Sequence, residues 1–177
     1  MIRDGIPHLP GRKPGQYLSD REAEEAVAFI EKNKDRPFFL NMNNYAVHTP
    51  IQAKAEVTAK YAKKPKTTQK NAKYAAMVES VDDCAGLIMD TLEEHGIADR
   101  TMIIFTSDHG DYQGDHWLGE KELFHEQSVR VPMIIYDPSE YANKTRGTKE
   151  KRFIEAIDLL PTFLDAVESP ASQHRLE

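Results

Sequence analysis

The apolar run Met102-Ile103-Ile104-Phe105 leads without a break into Thr106-Ser107-Asp108-His109-Gly110. The run predicts a short strand over 101–106. A strand that ends in Asp-His-Gly delivers a carboxylate and an imidazole at its carboxyl end, where open α/β sheets take their ligands. Carboxylate oxygen suits a hard divalent cation, and His widens the choice toward Mn or Zn. The plain alternative is a strand-end turn in which Asp108 caps backbone amides and His109 is exposed. The neighbours weigh against that alternative: His48-Thr49-Pro50 upstream, and Gly119-Glu120-Lys121 with Val129-Arg130-Val131-Pro132 downstream.

The rest of the chain supplies the elements around this strand. Residues 1 to 18 repeat Gly and Pro and read as an irregular lead-in. Ser19-Asp20-Arg21-Glu22 has the form of a capping box, so a helix is predicted to start there. Ala23, Ala26, Val27 and Ile30 give that helix an apolar face. Residues 37–42, with Phe38, Phe39 and Leu40 in succession, predict a buried strand continued by a loop to His48. From about Lys73 the residues Tyr74, Met77, Val78, Val81, Ala85, Ile88 and Leu92 recur at helical spacing, and Gly96 is the predicted stop. Residues 107–128 are polar and predict a long loop, a length that usually marks function. A third strand is predicted over 131–136. A short extended piece is predicted over 152–158, then a helix capped by Asp158 that tolerates Pro161 in its first turn. This element order is that of an α/β fold.

With 177 residues the chain is long enough for one domain with a core. A formal net charge of −6 argues against a nucleic-acid binder. Lys60, Lys63, Lys64, Lys66, Lys70 and Lys73 cluster, either as a solvated loop and helix start or as a rim that attracts anions. One cysteine excludes an internal disulfide and fits a reducing compartment without establishing one. No apolar stretch approaches the roughly 20 residues of a membrane span. The N-terminal residues lack the apolar core of a signal peptide, so the compartment is left open.

Two further residues carry chemistry, His48 and Lys121. Pro50 biases Thr49 toward an extended conformation and so fixes the direction of His48. The His48 imidazole can bind an anionic oxygen or protonate a leaving group. Lys121 can neutralise charge developing on an oxyanion. His116 and His125 flank the same loop, but with His109 they match no compact zinc spacing, and no Cys joins them. Cys84, mid-helix beside the apolar face, reads as a small core residue.

In order and spacing these segments resemble the sulfatase family of the alkaline phosphatase superfamily. The resemblance runs from Tyr17-Leu18-Ser19-Asp20 through Pro37 to Pro50, Tyr74 to Asp82, Ile104 to Gly110 and Lys121 to Pro132, and ends at Asp158-Leu159-Leu160-Pro161-Thr162. It implies a three-layer α/β/α sandwich of alkaline-phosphatase type, present in part. It implies a sulfuric ester hydrolase acting on aryl or carbohydrate sulfates with a divalent metal, calcium first and Mg or Mn as alternatives. Asp108 and His109 then complete the metal shell, and Asp108 can take the nucleophile's proton. His48 and Lys121 then sit on the sulfate near the leaving oxygen, and His116 touches substrate. Many relatives have Asn where this chain has His109; His at that position is similar to phosphonate monoester hydrolases.

The family's nucleophile is a formylglycine made from Cys or Ser in a Cys/Ser-x-Pro/Ala-x-Arg motif, and this sequence contains no such motif. Residues 1–177 therefore read as one partial catalytic domain, the C-terminal half. The nucleophile half is expected upstream, and the family's small C-terminal subdomain is absent. That reading predicts no turnover by the chain alone. It also predicts an unpaired sheet edge or apolar face, hence self-association, strain or further chain beside it. Two other functions stay open: a phosphonate or phosphate diester hydrolase of the same superfamily, and a non-catalytic, metal-free binding module.

Overall fold

An apolar helical stripe has to be covered by another element, and the first two long stripes of this chain cover each other. The computed structural model describes residues 13, 15–65 and 70–171, in two compact units, Met1–Met102 and Ile103–Glu177. Most of the lead-in, and Lys66 of the lysine cluster, lie outside the described residues.

In the first unit α1 (Leu18–Asn33) and α2 (Ala55–Ala62) both pack on α3 (Ala72–Glu94). Ala23, Ala26 and Ile30 of α1 are buried, as are Ala76, Met77, Ser80, Cys84 and Leu92 of α3. The buried stripe of α3 is offset from the face read in the sequence, for Val78 is 47% exposed and Ala76, Ser80 and Cys84 are inside. Small side chains let two helices approach closely, so here size overrides hydrophobicity. Asn71 caps α3 by accepting the amides of Lys73 and Tyr74, each at 3.1 Å. Gly96 ends it with φ +64°, and the Ile97 amide reaches back to the Leu92 carbonyl at 2.9 Å. That is a Schellman closure over two buried side chains.

The capping box read at Ser19 does not form. The helix starts at Leu18, with Tyr17 as its cap residue, so Ser19 lies inside the first turn. Its other members are used for tertiary contacts instead. Asp20 pairs with Lys54 at 2.6 Å, and Glu22 accepts the Tyr45 amide at 3.4 Å. The strand read at 37–42 is also not one: these residues have no ladder partner among the described residues, and Phe39 is 66% exposed. Phe38 instead meets the ring of Phe29 edge-on, at 5.8 Å between centroids.

Burial raises the pKa of the Glu22 carboxyl, and the Tyr45 amide opposes the shift. A carboxyl that holds its proton more tightly when folded adds stability in acid. That stability is lost as pH climbs through the raised value. The Oε2 atom is buried without a partner. Glu22→Gln is therefore expected to be more stable than the parent at pH 7 and to lose that part of the pH slope, as read by denaturant titration between pH 4 and 8.

In the second unit β1 (Ile103–Thr106) pairs antiparallel with β2 (Met133–Tyr136), and Thr106 lies opposite Met133. This register puts the end of β1 beside the start of β2 and leaves 107–132 to span between them. The loop holds a one-turn helix, α4 (Glu126–Val129). Beyond β2, residues 156–158 form a 3₁₀ turn where an extended piece was read, and α5 (Leu159–Ala166) follows, with Pro161 in its first turn. Asp158 stands at the cap of α5, but its carboxylate turns back to the Glu155 amide at 2.9 Å. Phe105, Ile134, Ile135 and Tyr136 are exposed, and because successive strand residues alternate, the apolar surface lies on both faces of the pair.

Candidate functional site

Asp108 and His109 emerge from the end of β1 as a preformed pair. The His109 amide donates to Asp108 Oδ1 at 3.0 Å, which turns the other oxygen outward. His109 Nδ1 lies 2.8 Å from the Gly110 carbonyl. A carbonyl only accepts, so Nδ1 carries the proton in this contact and Nε2 bears the lone pair. Nε2 lies 3.3 Å from Asp108 Oδ2. Two lone-pair atoms facing each other at that distance repel unless a positive charge joins them, either a proton on the ring or a metal cation. An imidazole whose second nitrogen is tied to a backbone carbonyl is the usual arrangement of a metal-ligating His.

The pair fits a divalent cation as part of its shell. Donors 3.3 Å apart can share an ion at about 2.3 Å from each, at nearly a right angle, as six-coordinate ions prefer. No cluster of three or more His, Cys, Asp or Glu suited to a metal occurs among the described residues. Formylglycine does not fit Cys84, which is 3% exposed in the middle of α3 and whose thiol burial pushes up.

The loop after this pair is held by its own backbone. The Gly110 amide donates to the Ser128 carbonyl at 2.7 Å, and Ser128 Oγ donates to the Lys121 carbonyl at 3.0 Å. The Tyr112 amide donates to Glu120 at 2.9 Å. Gln113, His116, Trp117 and Glu120 all have positive φ, between 50° and 63°. For such residues the left-handed region costs about 1–2 kcal/mol each, and clusters of them mark functional loops. Lys121 is exposed, and its ammonium has no ion pair among the described residues. His116 is exposed and stacks on His125, with ring centroids 4.4 Å apart.

His48 belongs to the first unit. Its Nδ1 donates to the Thr49 carbonyl at 2.7 Å, and Tyr45 donates its hydroxyl to the same oxygen at 2.9 Å. The ring is thus held by its own turn and by Tyr45, a partner that was not read from the sequence. The Nε2 lone pair remains available.

Asp108 with His109 is therefore one built pair. Lys121 and His116 sit on the loop that follows it, and His48 is fixed separately in the other unit. Reading the sequence missed Tyr112 and Ser128, both buried and both joining distant parts of the loop. Neither carries a motif; only the three-dimensional path shows what they join.

The family model described as Sulfatase matches residues 3–169. The chain is 29% identical over 208 residues to the multifunctional alkaline phosphatase superfamily protein PehA of Trinickia caryophylli, a match that covers 91% of the chain and 40% of PehA. It is 34% identical over 165 residues to an arylsulfatase of Clostridium perfringens, covering 90% of the chain and 31% of that protein. Among solved structures it is similar to Ps i-CgsB in complex with k-i-k-neocarrahexaose, with TM-score 0.74, 30% identity and coverage of 92% and 37%. It also matches the phosphonate monoester hydrolase of Agrobacterium radiobacter, with TM-score 0.75 and coverage of 89% and 42%. At 24% identity that second likeness shows the fold alone. The fold is thus of alkaline-phosphatase type, in part, and the chain spans 31% to 42% of the length of these relatives.

Proposed function

The chain belongs to the sulfatase family, and from that premise we propose that it contributes the metal-binding strand end and the charge-handling side chains of a sulfuric ester hydrolase acting on aryl or carbohydrate sulfates. The observation that carries this reading is the Asp108–His109 pair, with one atom of each tied back and the other two 3.3 Å apart. Asp108 and His109 would hold a divalent cation, calcium first, with Mg or Mn as alternatives. A bound cation supplies Lewis-acid polarisation of the sulfuryl oxygens.

The remaining roles fall to side chains. Lys121 sets a cation against charge developing on those oxygens. His48 presents Nε2, through which it binds an anionic oxygen or passes a proton to the departing alcohol. His116 contacts the substrate. None of residues 1–177 is proposed as nucleophile. In this reading that group is a formylglycine, and Asp108 can take its proton.

Lys121→Ala is expected to lower kcat/KM for an aryl sulfate by about 100- to 1000-fold in the active enzyme, the effect of deleting one stabiliser of transition-state charge. A second reading, a phosphonate or phosphate diester hydrolase, is favoured by His109, which stands where many sulfatases have Asn. Rates on a sulfate ester and a phosphonate ester of one leaving group decide between the two. A faster sulfate ester supports the first reading, and a faster phosphonate ester replaces it.

A further inference from the structure

The loop that carries Lys121 contains a stack of rings of which the chemistry above uses only His116. Tyr112, 1% exposed, stands at its base. Its hydroxyl donates to the Leu123 carbonyl at 2.8 Å. With its one proton committed there, the hydroxyl accepts from His125, whose Nδ1 lies at 3.0 Å and whose amide lies at 3.4 Å. His125 therefore carries its proton on Nδ1. The His125 ring meets Tyr112 edge-on, at 5.7 Å and 83°, and lies nearly parallel to His116, at 4.4 Å and 22°. His116 also stands edge-on to Tyr112, at 6.3 Å and 85°.

Three conjugated rings thus share one assembly, although 116 and 125 lie nine positions apart in the sequence. His116 needs such support. It is exposed, its backbone is left-handed at φ 55°, and Trp117 after it is left-handed too. Without packing, a segment of this kind relaxes in water, because an L residue gains about 1–2 kcal/mol by leaving that region. The same Tyr112 bonds to Glu120 through its amide and to Leu123 through its hydroxyl. These two contacts bracket Lys121.

We propose that Tyr112 and His125 are positioning residues. Tyr112 sets the backbone on either side of Lys121, and the His125 ring holds the His116 imidazole in the orientation in which it meets the substrate. The proposal rests on the reading of His116 as a substrate contact. His125 acts through His116 alone, whereas Tyr112 acts through both His116 and Lys121.

Two measurements test it. The first is the NMR spectrum of the His116 ring protons in the chain. His125→Ala is expected to abolish the ring-current shift that a stacked neighbour produces, and His125→Phe, which keeps a flat ring, to preserve it. The second is a double-mutant cycle in the active enzyme. His125→Ala is expected to lower kcat/KM about tenfold and His125→Phe to restore most of it. Adding His125→Ala to His116→Ala should cost nothing further. Tyr112→Phe should lower activity further in the His116→Ala background, because it also removes the Leu123 bond on one side of Lys121.

His116 resonances indifferent to His125→Ala would overturn the proposal, as would losses at 116 and 125 that multiply. Either result in an enzyme that still hydrolyses the sulfate ester leaves the sulfatase reading standing. If the parent hydrolyses no sulfate ester, that reading fails and takes this proposal with it.

Discussion

Replacing Gly110 by Ala is expected to destroy the strand-end loop. A Cβ built at Gly110 falls 1.9 Å from the Gln127 carbonyl oxygen and 2.9 Å from its carbon. Both are backbone atoms of α4, so no rotamer change relieves the clash. The 2.7 Å bond from the Gly110 amide to Ser128 holds the two segments at this distance and has to break. Ser128 then loses its grip on Lys121, and the Gly110 carbonyl that orients His109 moves with its backbone. Overpacking of this severity costs on the order of 3 kcal/mol or more. Thermal unfolding and amide exchange at Gly110 and Val129 read the effect directly. Gly86→Ala is the control: its Cβ meets nothing within 4 Å, and it lies inside α3. That change is expected to stabilise by about 0.5–1 kcal/mol, because Gly in a helix interior costs that much relative to Ala. A destabilisation equal at both positions would contradict the contact described at Gly110.

Removing the Asp108 carboxylate is the second large effect. Mutating the outer partners of metal ligands costs about 10- to 100-fold in affinity or activity, and removing a ligand costs more. Asp108→Ala is expected to lower divalent-ion affinity and turnover in the active enzyme by about 1000-fold or more. His109→Ala should follow it, since the two form one pair. The fold should be spared, because the Asp108 side chain is 83% exposed and its hydrogen bonds are local. Calorimetric titration with calcium and with manganese, alongside a melting curve, separates the two effects. A variant that binds the ion as tightly as the parent would remove Asp108 from the metal shell, an unchanged rate would remove it from the catalytic machinery, and a parent that binds no ion and turns over no ester would favour the non-catalytic binding module.

The segments with a strong local signal were legible. The periodicity from Lys73 and the stop at Gly96 are nearest-neighbour effects, so α3 follows from its own residues; the cap at Asn71 was not read. The two β-rich runs at 103–106 and 133–136 became the paired strands. The Ser19 capping box failed because Asp20 and Glu22 had better-placed partners in Lys54 and Tyr45, 34 and 23 residues away. The run at 37–42 failed because a strand depends on a ladder partner as much as on its own residues. The α3 face shifted because close helix packing selects Ala76, Ser80 and Cys84 by size.

The sequence by itself determined the chemical inventory: Asp108 and His109 at the end of a strand, Lys121 in a long polar loop, and His48 before a proline. It also determined the family, because motif order and spacing survive without coordinates. Only the tertiary structure decided how those groups are presented. The Nδ1 bond to Gly110 that turns His109 Nε2 toward Asp108 is one such decision. The approach of Gln127 that leaves no room for a Cβ at Gly110, and the buried Tyr112 that joins residues 120, 123 and 125, are others. Each depends on backbone atoms brought together across a loop, and backbone amides and carbonyls are the same at every position, so the amino-acid code does not mark which of them will meet.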